Sequence, residues 1–209
     1  MSKEEIIEII SVWVKNAEEK PLIMAISNNL LTEEVIKKCG GRNKNYILSA
    51  TIIYIAYRKL KIPKTIYEIS EKTDIEYNKI TRTYKSIKNI LGMKVCSDSS
   101  IMGKGCIYQP KAKDFVKKGV DSLKLPKEIE IEIYKLIELT EKSEAFQGKS
   151  PNNICGGCVY TACKLNYPFP IPQRIIADVY GVAESTIRDV FIRIKMEMKI
   201  KEVINGRTK

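Results

Sequence analysis

The chain carries one pattern twice. Tyr54 and Ala56 in the first half are matched by Tyr160 and Ala162 in the second. After one inserted residue, Ile69 pairs with Ile176, Ile75 with Val182, Ile80 with Ile187 and Tyr84 with Phe191. Gly41-Arg42 ahead of the third helical stretch of the first half is matched by Gly148-Lys149 ahead of its counterpart. A duplication of this length constrains the fold strongly. Each copy is about 95 residues, long enough to close a core of its own.

Within each copy the apolar period is helical. In residues 3–19, Ile6, Ile7, Ile10, Val14 and Ala17 share a face, which predicts one helix. Pro21 suits the first turn of a second helix running through "LTEEVIKKC" to Gly40-Gly41, with Lys37 and Lys38 in its last turn. "NYILSATIIYIAYRKL" is apolar nearly all round and predicts a helix at the centre of a domain. "TIYEISEKT" reads as a short helix, "DIEYN" as a turn, and "KITRTYKSIKNIL" as a longer helix ending at Gly92. The order then repeats with "KAKDFVKKGVDSLKL", "PKEIEIEIYKLIELTEKS", "NNICGGCVYTACKL", "QRIIADVY" and "ESTIRDVFIRIKMEM". The Gly- and Ser-rich "GMKVCSDSSIMGKGCIYQPK" between the copies has no helical period and reads as a linker. The expected architecture is all-α: two tandem five-helix units, 1–93 and 111–209, joined by a linker at 94–110.

Each unit ends in a short helix, a tight turn and a longer helix, the outline of a helix-turn-helix. In the second unit this is "GVAESTIRD", a glycine turn followed by Ser185, Thr186 and Arg188 at the start of the next helix. Two readings of that start are open. Either Glu184 or Asp189 pairs Arg188 on a solvated loop between helices, or an anion docks there. Charge favours an anion. The chain has a formal net charge of +11, and the basic excess is five before Met93 and six from there on. Two basic halves suit a polyanion such as DNA, because cations on phosphates release condensed counterions.

Other chemistries find little support. The chain has no histidine, which removes the commonest general base and metal ligand, and it shows no paired carboxylates or phosphate-cradling glycine loop. Enzyme activity, a cofactor and a metal are not expected. Cys155 and Cys158 form a single CxxC without a second pair, and they lie in a helical pattern of small residues, which favours close helix packing over zinc. The N-terminus lacks the basic region of a signal peptide, and the longest apolar run is too short to span a bilayer. The expectation is an intracellular monomer with reduced thiols, away from membranes.

"GKSPNNICGGCVYTACKL" followed by "IIADVYGVAESTIRDVFIRI" resembles the second cyclin-type repeat of general transcription factor B, eukaryotic TFIIB and archaeal TFB. The carrying residues are Ile176-Ala177, Gly181-Val182 and Thr186-Ile187-Arg188. "GGRNKNYILSATIIYIAYRKLKIPKTIYEISEKTDIEYNKITRTYKSI" is similar to the family's first repeat. The resemblance implies a cyclin-like fold and a role in promoter assembly, with double-stranded promoter DNA and TATA-binding protein as partners and RNA polymerase as a candidate further partner. Such a protein works in the nucleus of a eukaryote, or in the cytoplasm of an archaeon or a viral factory. It implies that Ser185, Thr186 and Arg188 read the major groove upstream of the TATA element. Gly41 and Arg42 would touch the minor groove downstream, and Lys149 would be a phosphate contact. Tyr77 and Asn78 stand where the family tends to place lysines facing TATA-binding protein, so that contact is expected at Lys79, Lys85 and Lys88. Ser185 stands where a small apolar residue is common. The resemblance covers no zinc ribbon, so a core fragment or a short paralogue competing with the full-length factor is also compatible. A cyclin proper, a kinase-activating module without DNA contact, is the alternative from another class.

Overall fold

The computed structural model describes residues 2–41, 44–96, 105–166 and 171–206, without the side chains of 200–206. The described chain is mainly helical and divides into two compact units, Met1–Gln109 and Pro110–Lys209.

In the first unit, α1 (Lys3–Trp13) starts on Ser2, whose side chain accepts from the Glu5 N–H. It stops earlier than the apolar spacing predicts. Val14 is already extended, and the Asn16 side chain takes the N–H groups of Glu18 and Glu19, turning the chain. The next expected helix is two. α2 (Lys20–Leu30) has Pro21 in its first turn, and α3 (Glu33–Cys39) restarts on Thr32, whose hydroxyl accepts from the Val35 N–H at 3.3 Å. An N-cap threonine followed by two glutamates favours a new helix start over continuation. The first unit therefore has six α-helices among its described residues, not five.

α4 (Asn45–Lys59) is the axis of this unit. Leu48, Ala50, Ile52, Ile55 and Ala56 are wholly inaccessible, enclosed by α1, α2, α5 (Ile66–Thr73) and α6 (Tyr77–Ile90). α5 opens with a capping box: Thr65 accepts from the Glu68 N–H at 3.1 Å, and the Glu68 carboxylate accepts from the Thr65 N–H at 2.8 Å. Each such reciprocal cap satisfies two helix-start donors.

The stretch 94–110 contains more than a spacer. β1 (Lys94–Cys96) and β2 (Cys106–Tyr108) pair in parallel, with Val95 opposite Ile107. Ile107 is buried in the first unit's core, and the Arg58 guanidinium donates to the Tyr108 carbonyl.

The second unit follows the same plan around α9 (Pro151–Asn166), whose residues Cys155 to Cys163 are all buried. The segment expected as one helix from Lys111 begins instead as a 3-10 turn (Ala112–Phe115) and continues as α7 (Val116–Leu123). α8 (Lys127–Glu141), a 3-10 turn (Glu144–Phe146), α10 (Gln173–Tyr180) and α11 (Glu184–Gly206) complete it.

The duplication extends to side-chain geometry. Tyr54 meets Tyr84 edge-on with ring centroids 5.3 Å apart, and Tyr160 meets Phe191 edge-on at the same 5.3 Å. Arg58 lies over the Tyr54 ring at 5.5 Å and donates to its hydroxyl; Lys164 lies over Tyr160 at 5.4 Å and donates likewise. Each trio ties the central helix to the last helix of its unit. Such an edge-on pair contributes about 0.5–1.5 kcal/mol beyond the area it buries.

Candidate nucleic-acid interface

The α10–α11 turn is built on Gly181, which takes the left-handed conformation (φ 62°, ψ 47°). The Val182 N–H then reaches back to the Ala177 carbonyl at 3.0 Å, closing a Schellman-type stop. The α5–α6 turn has the same form on Asp74 (φ 55°), with the Ile75 N–H on the Ser70 carbonyl at 3.3 Å. α11 is anchored by Ile187, Val190 and Ile194, all fully buried. It lies against the backbone of α9. A Cβ on Gly157 would sit 2.1 Å from a Val190 methyl, and one on Gly156 would sit 2.8 Å from the Ile187 Cδ1. The paired glycines of "NNICGGC" therefore let the two helices touch.

This packing turns Ser185 and Arg188 to solvent and leaves Thr186 half-buried. α11 begins at Glu184, so Arg188 is its fifth residue rather than part of its first turn. The Ala183 carbonyl accepts the first helical N–H groups, from Thr186 and Ile187. Ser185 plays no cap role, and among the described residues its hydroxyl has no partner. Arg188 likewise makes no ion pair or hydrogen bond among them. Asp189 does not pair it. That carboxylate accepts from Lys149 at 2.5 Å and from Arg193 at 3.1 Å, and these bonds, Lys149 foremost, hold its pKa below the ordinary value. Arg193 also donates to the Ala145 carbonyl at 3.2 Å, and Ser143 donates to Glu197 at 2.7 Å. The loop ahead of α9 is thereby tied to α11.

Lys149 is thus engaged on the protein's own surface, its side chain 23% exposed. Gly41 is exposed at φ 149°, donating to the Asn45 side chain at 3.3 Å, and Arg42 lies outside the described residues. On α6, Lys79 pairs with Glu76 at 3.3 Å, Lys85 is exposed with no partner among the described residues, and Lys88 is half-buried. Ser185 and Arg188 therefore share one helix face, Lys149 bonds to the residue next to Arg188, and Gly41 and the α6 lysines belong to the other unit.

Sequence reasoning misses the Lys149–Asp189–Arg193 cluster. Its one local signal is the four-residue spacing of Asp189 and Arg193; Lys149 comes from forty positions away. It also misses the role of Tyr180, whose buried hydroxyl donates to the Phe115 carbonyl at 3.2 Å and accepts from the Cys155 thiol at 3.4 Å. Cys155 and Cys158 are fully buried, and burial pushes the Cys155 thiol up to about 12 and raises Cys158 as well. Both stay protonated at neutral pH, which leaves them small core residues rather than nucleophiles. Among the described residues no group of three or more Cys, Asp or Glu side chains could hold a metal ion, and no helix is long and apolar enough to cross a membrane.

Residues 108–197 match the family described as "Transcription factor TFIIB repeat". The chain is similar to archaeal proteins named "Transcription initiation factor IIB". It is 28% identical to that of Methanothermococcus thermolithotrophicus over 153 residues, covering 73% of this chain and 41% of the relative. It is 27% identical to that of Methanosarcina mazei over 157 residues, 75% of this chain and 43% of the relative. Against Methanosphaerula palustris the match is 26% over 212 residues, 92% of this chain and 60% of the relative. The chain thus spans between about two fifths and three fifths of these relatives, whose shared name is that of a transcription factor and not an enzyme.

Proposed function

We propose that this chain, a TFIIB-repeat protein of all-α, cyclin-like fold, binds promoter DNA together with TATA-binding protein and helps assemble the initiation complex. The observation that carries this reading is the solvent face at the start of α11. There Ser185 and Arg188 stand exposed and unpaired among the described residues, on the second helix of a helix-turn-helix, in a chain of net charge +11.

In this reading α11 enters the major groove. Arg188 donates two parallel hydrogen bonds to the O6 and N7 of a guanine, and Ser185 bonds a base edge or a phosphate. A free guanidinium suits this role because no internal partner has to be broken first. The open N–H groups at the start of α11 favour a neighbouring phosphate. Lys149 reaches a phosphate by leaving Asp189, which retains Arg193. Gly41 and Arg42 approach the minor groove, and the Lys79, Lys85 and Lys88 face meets acidic groups of TATA-binding protein. RNA polymerase is recruited to the assembled complex.

The deciding experiment is a gel shift with the full chain, TATA-binding protein and promoter duplex at low salt. A ternary complex that migrates more slowly than TATA-binding protein on DNA is the expected result. If the chain adds nothing to that complex, this function fails.

A further inference from the structure

Ile192 and Met196 are large apolar side chains on α11 that the fold leaves exposed. They are 45% and 59% exposed, and neither is among the buried residues of the second unit's core. A single exposed apolar residue is ordinary and needs no explanation. Here the placement gives it content. Ile192 lies one turn beyond Arg188 and two beyond Ser185, so the three form a row opposite Ile187, Val190 and Ile194. Beside that row Asp189 and Arg193 bond each other and the Lys195 ammonium lies over the Phe191 ring at 5.5 Å, while Met196 continues the row by one turn. The open face of α11 therefore presents, in order, a hydroxyl, a free guanidinium, a branched aliphatic group and a thioether.

We infer that Ile192 is a specificity-determining contact that packs on the 5-methyl group of a thymine in the major groove, beside the guanine read by Arg188. The inference rests on the docking of α11 proposed above. Four residues of helix advance about 6 Å, and base pairs step by about 3.4 Å, so the thymine lies within about two base pairs of the guanine. The thymine methyl is the apolar group that a major groove offers. Guanine, adenine and cytosine present there only donors and acceptors, which an isoleucine would strip of water without replacing the hydrogen bonds. Ile192 thus favours thymine by attraction and disfavours the other bases by desolvation. A protein partner seated on the same row is the competing occupant, and the test separates the two.

The probe is a duplex selected from a randomised pool by retention on the full chain with TATA-binding protein. It is remade with single guanine to 7-deazaguanine replacements, which remove N7, and single thymine to deoxyuridine replacements, which remove the methyl. One uracil near the Arg188 guanine should weaken binding about fourfold, the worth of one buried methyl. Ile192→Ala, which keeps a strong helix former at an exposed site, should bind the thymine and uracil duplexes alike. Arg188→Ala should lose the 7-deazaguanine effect and keep the uracil effect. If uracil is neutral at every position while 7-deazaguanine still weakens binding through Arg188, the thymine contact is overturned and the docking of α11 stands. If Ile192→Ala weakens both duplexes equally, the side chain meets sugar or a protein partner and the inference is overturned. If neither base analogue matters, the docking of α11 falls with it.

Discussion

A guanidinium that ends in water on the surface of a folded unit gives up little when it is removed from the free protein. Arg188 is in that position, so Arg188→Ala should leave the unfolding free energy within about 0.5 kcal/mol of the parent. Bound to promoter DNA, the same substitution should cost about 1–3 kcal/mol and relax the upstream sequence preference. Thermal melts paired with competition binding against altered upstream duplexes check both halves; an unchanged preference removes Arg188 from the reading face. Asp189, its neighbour, behaves in the opposite way. Its carboxyl is held below the ordinary value of 3.8 by Lys149 and Arg193. A carboxylate whose pKa is depressed in the folded state contributes stability above its unfolded pKa and loses it as pH falls through the folded one. The stability advantage of the parent over Asp189→Asn should therefore be complete at neutral pH, begin to fall near about pH 4, and be lost as the pH drops through the lowered carboxyl pKa. Urea melts across that range measure it. A gap that persists undiminished at pH 2 means Asp189 acts through packing rather than charge.

The two helix-turn-helix elements share a turn but not its residue. Gly181 adopts its left-handed conformation freely, whereas Asp74 pays for the same conformation with a crowded Cβ. Asp74→Gly should accordingly gain up to about 1 kcal/mol, and Gly181→Ala should lose about 1–2 kcal/mol. Denaturant midpoints compare them, and equal losses at both turns would mean that Asp74 holds the turn through its side chain. At this scale the sequence reading succeeds where periodicity is the deciding force. α4 and α9 are buried all round and α11 is buried on one face, so their spacing reveals them, and with α11 comes the exposure of Ser185 and Arg188. It fails where a local cap competes with the period. Ile23, Leu30, Leu31 and Val35 keep helical spacing across Thr32, yet the threonine cap divides α2 from α3. Val14 keeps the phase of α1 while its backbone is already extended. β1 and β2 are three residues each, too short for alternation to register beside the glycines. The ion cluster around Asp189 is illegible because only the fold brings Lys149 to it.

If the chain binds DNA as proposed, charge over the whole molecule should set how firmly the duplex is held and the exposed face of α11 where. Affinity for duplex should fall steeply with added salt, and each phosphate-contacting lysine that is removed should lower the slope of log affinity against log salt by about one. Lys149→Ala should show that change without altering sequence preference. Replacing Lys79, Lys85 and Lys88 by Glu should weaken the complex with TATA-binding protein more than binding to DNA alone; equal losses would assign those lysines to phosphate. The tilt of α11 has a source below its exposed face: Ile187 and Val190 rest on the bare backbone of α9 at Gly156 and Gly157, where no α9 side chain can give way. A single methyl added on the buried side would act as a shim under α11, shifting every exposed group of the helix together. If α11 reads promoter DNA as proposed, promoter choice could then drift through substitutions that never meet a base.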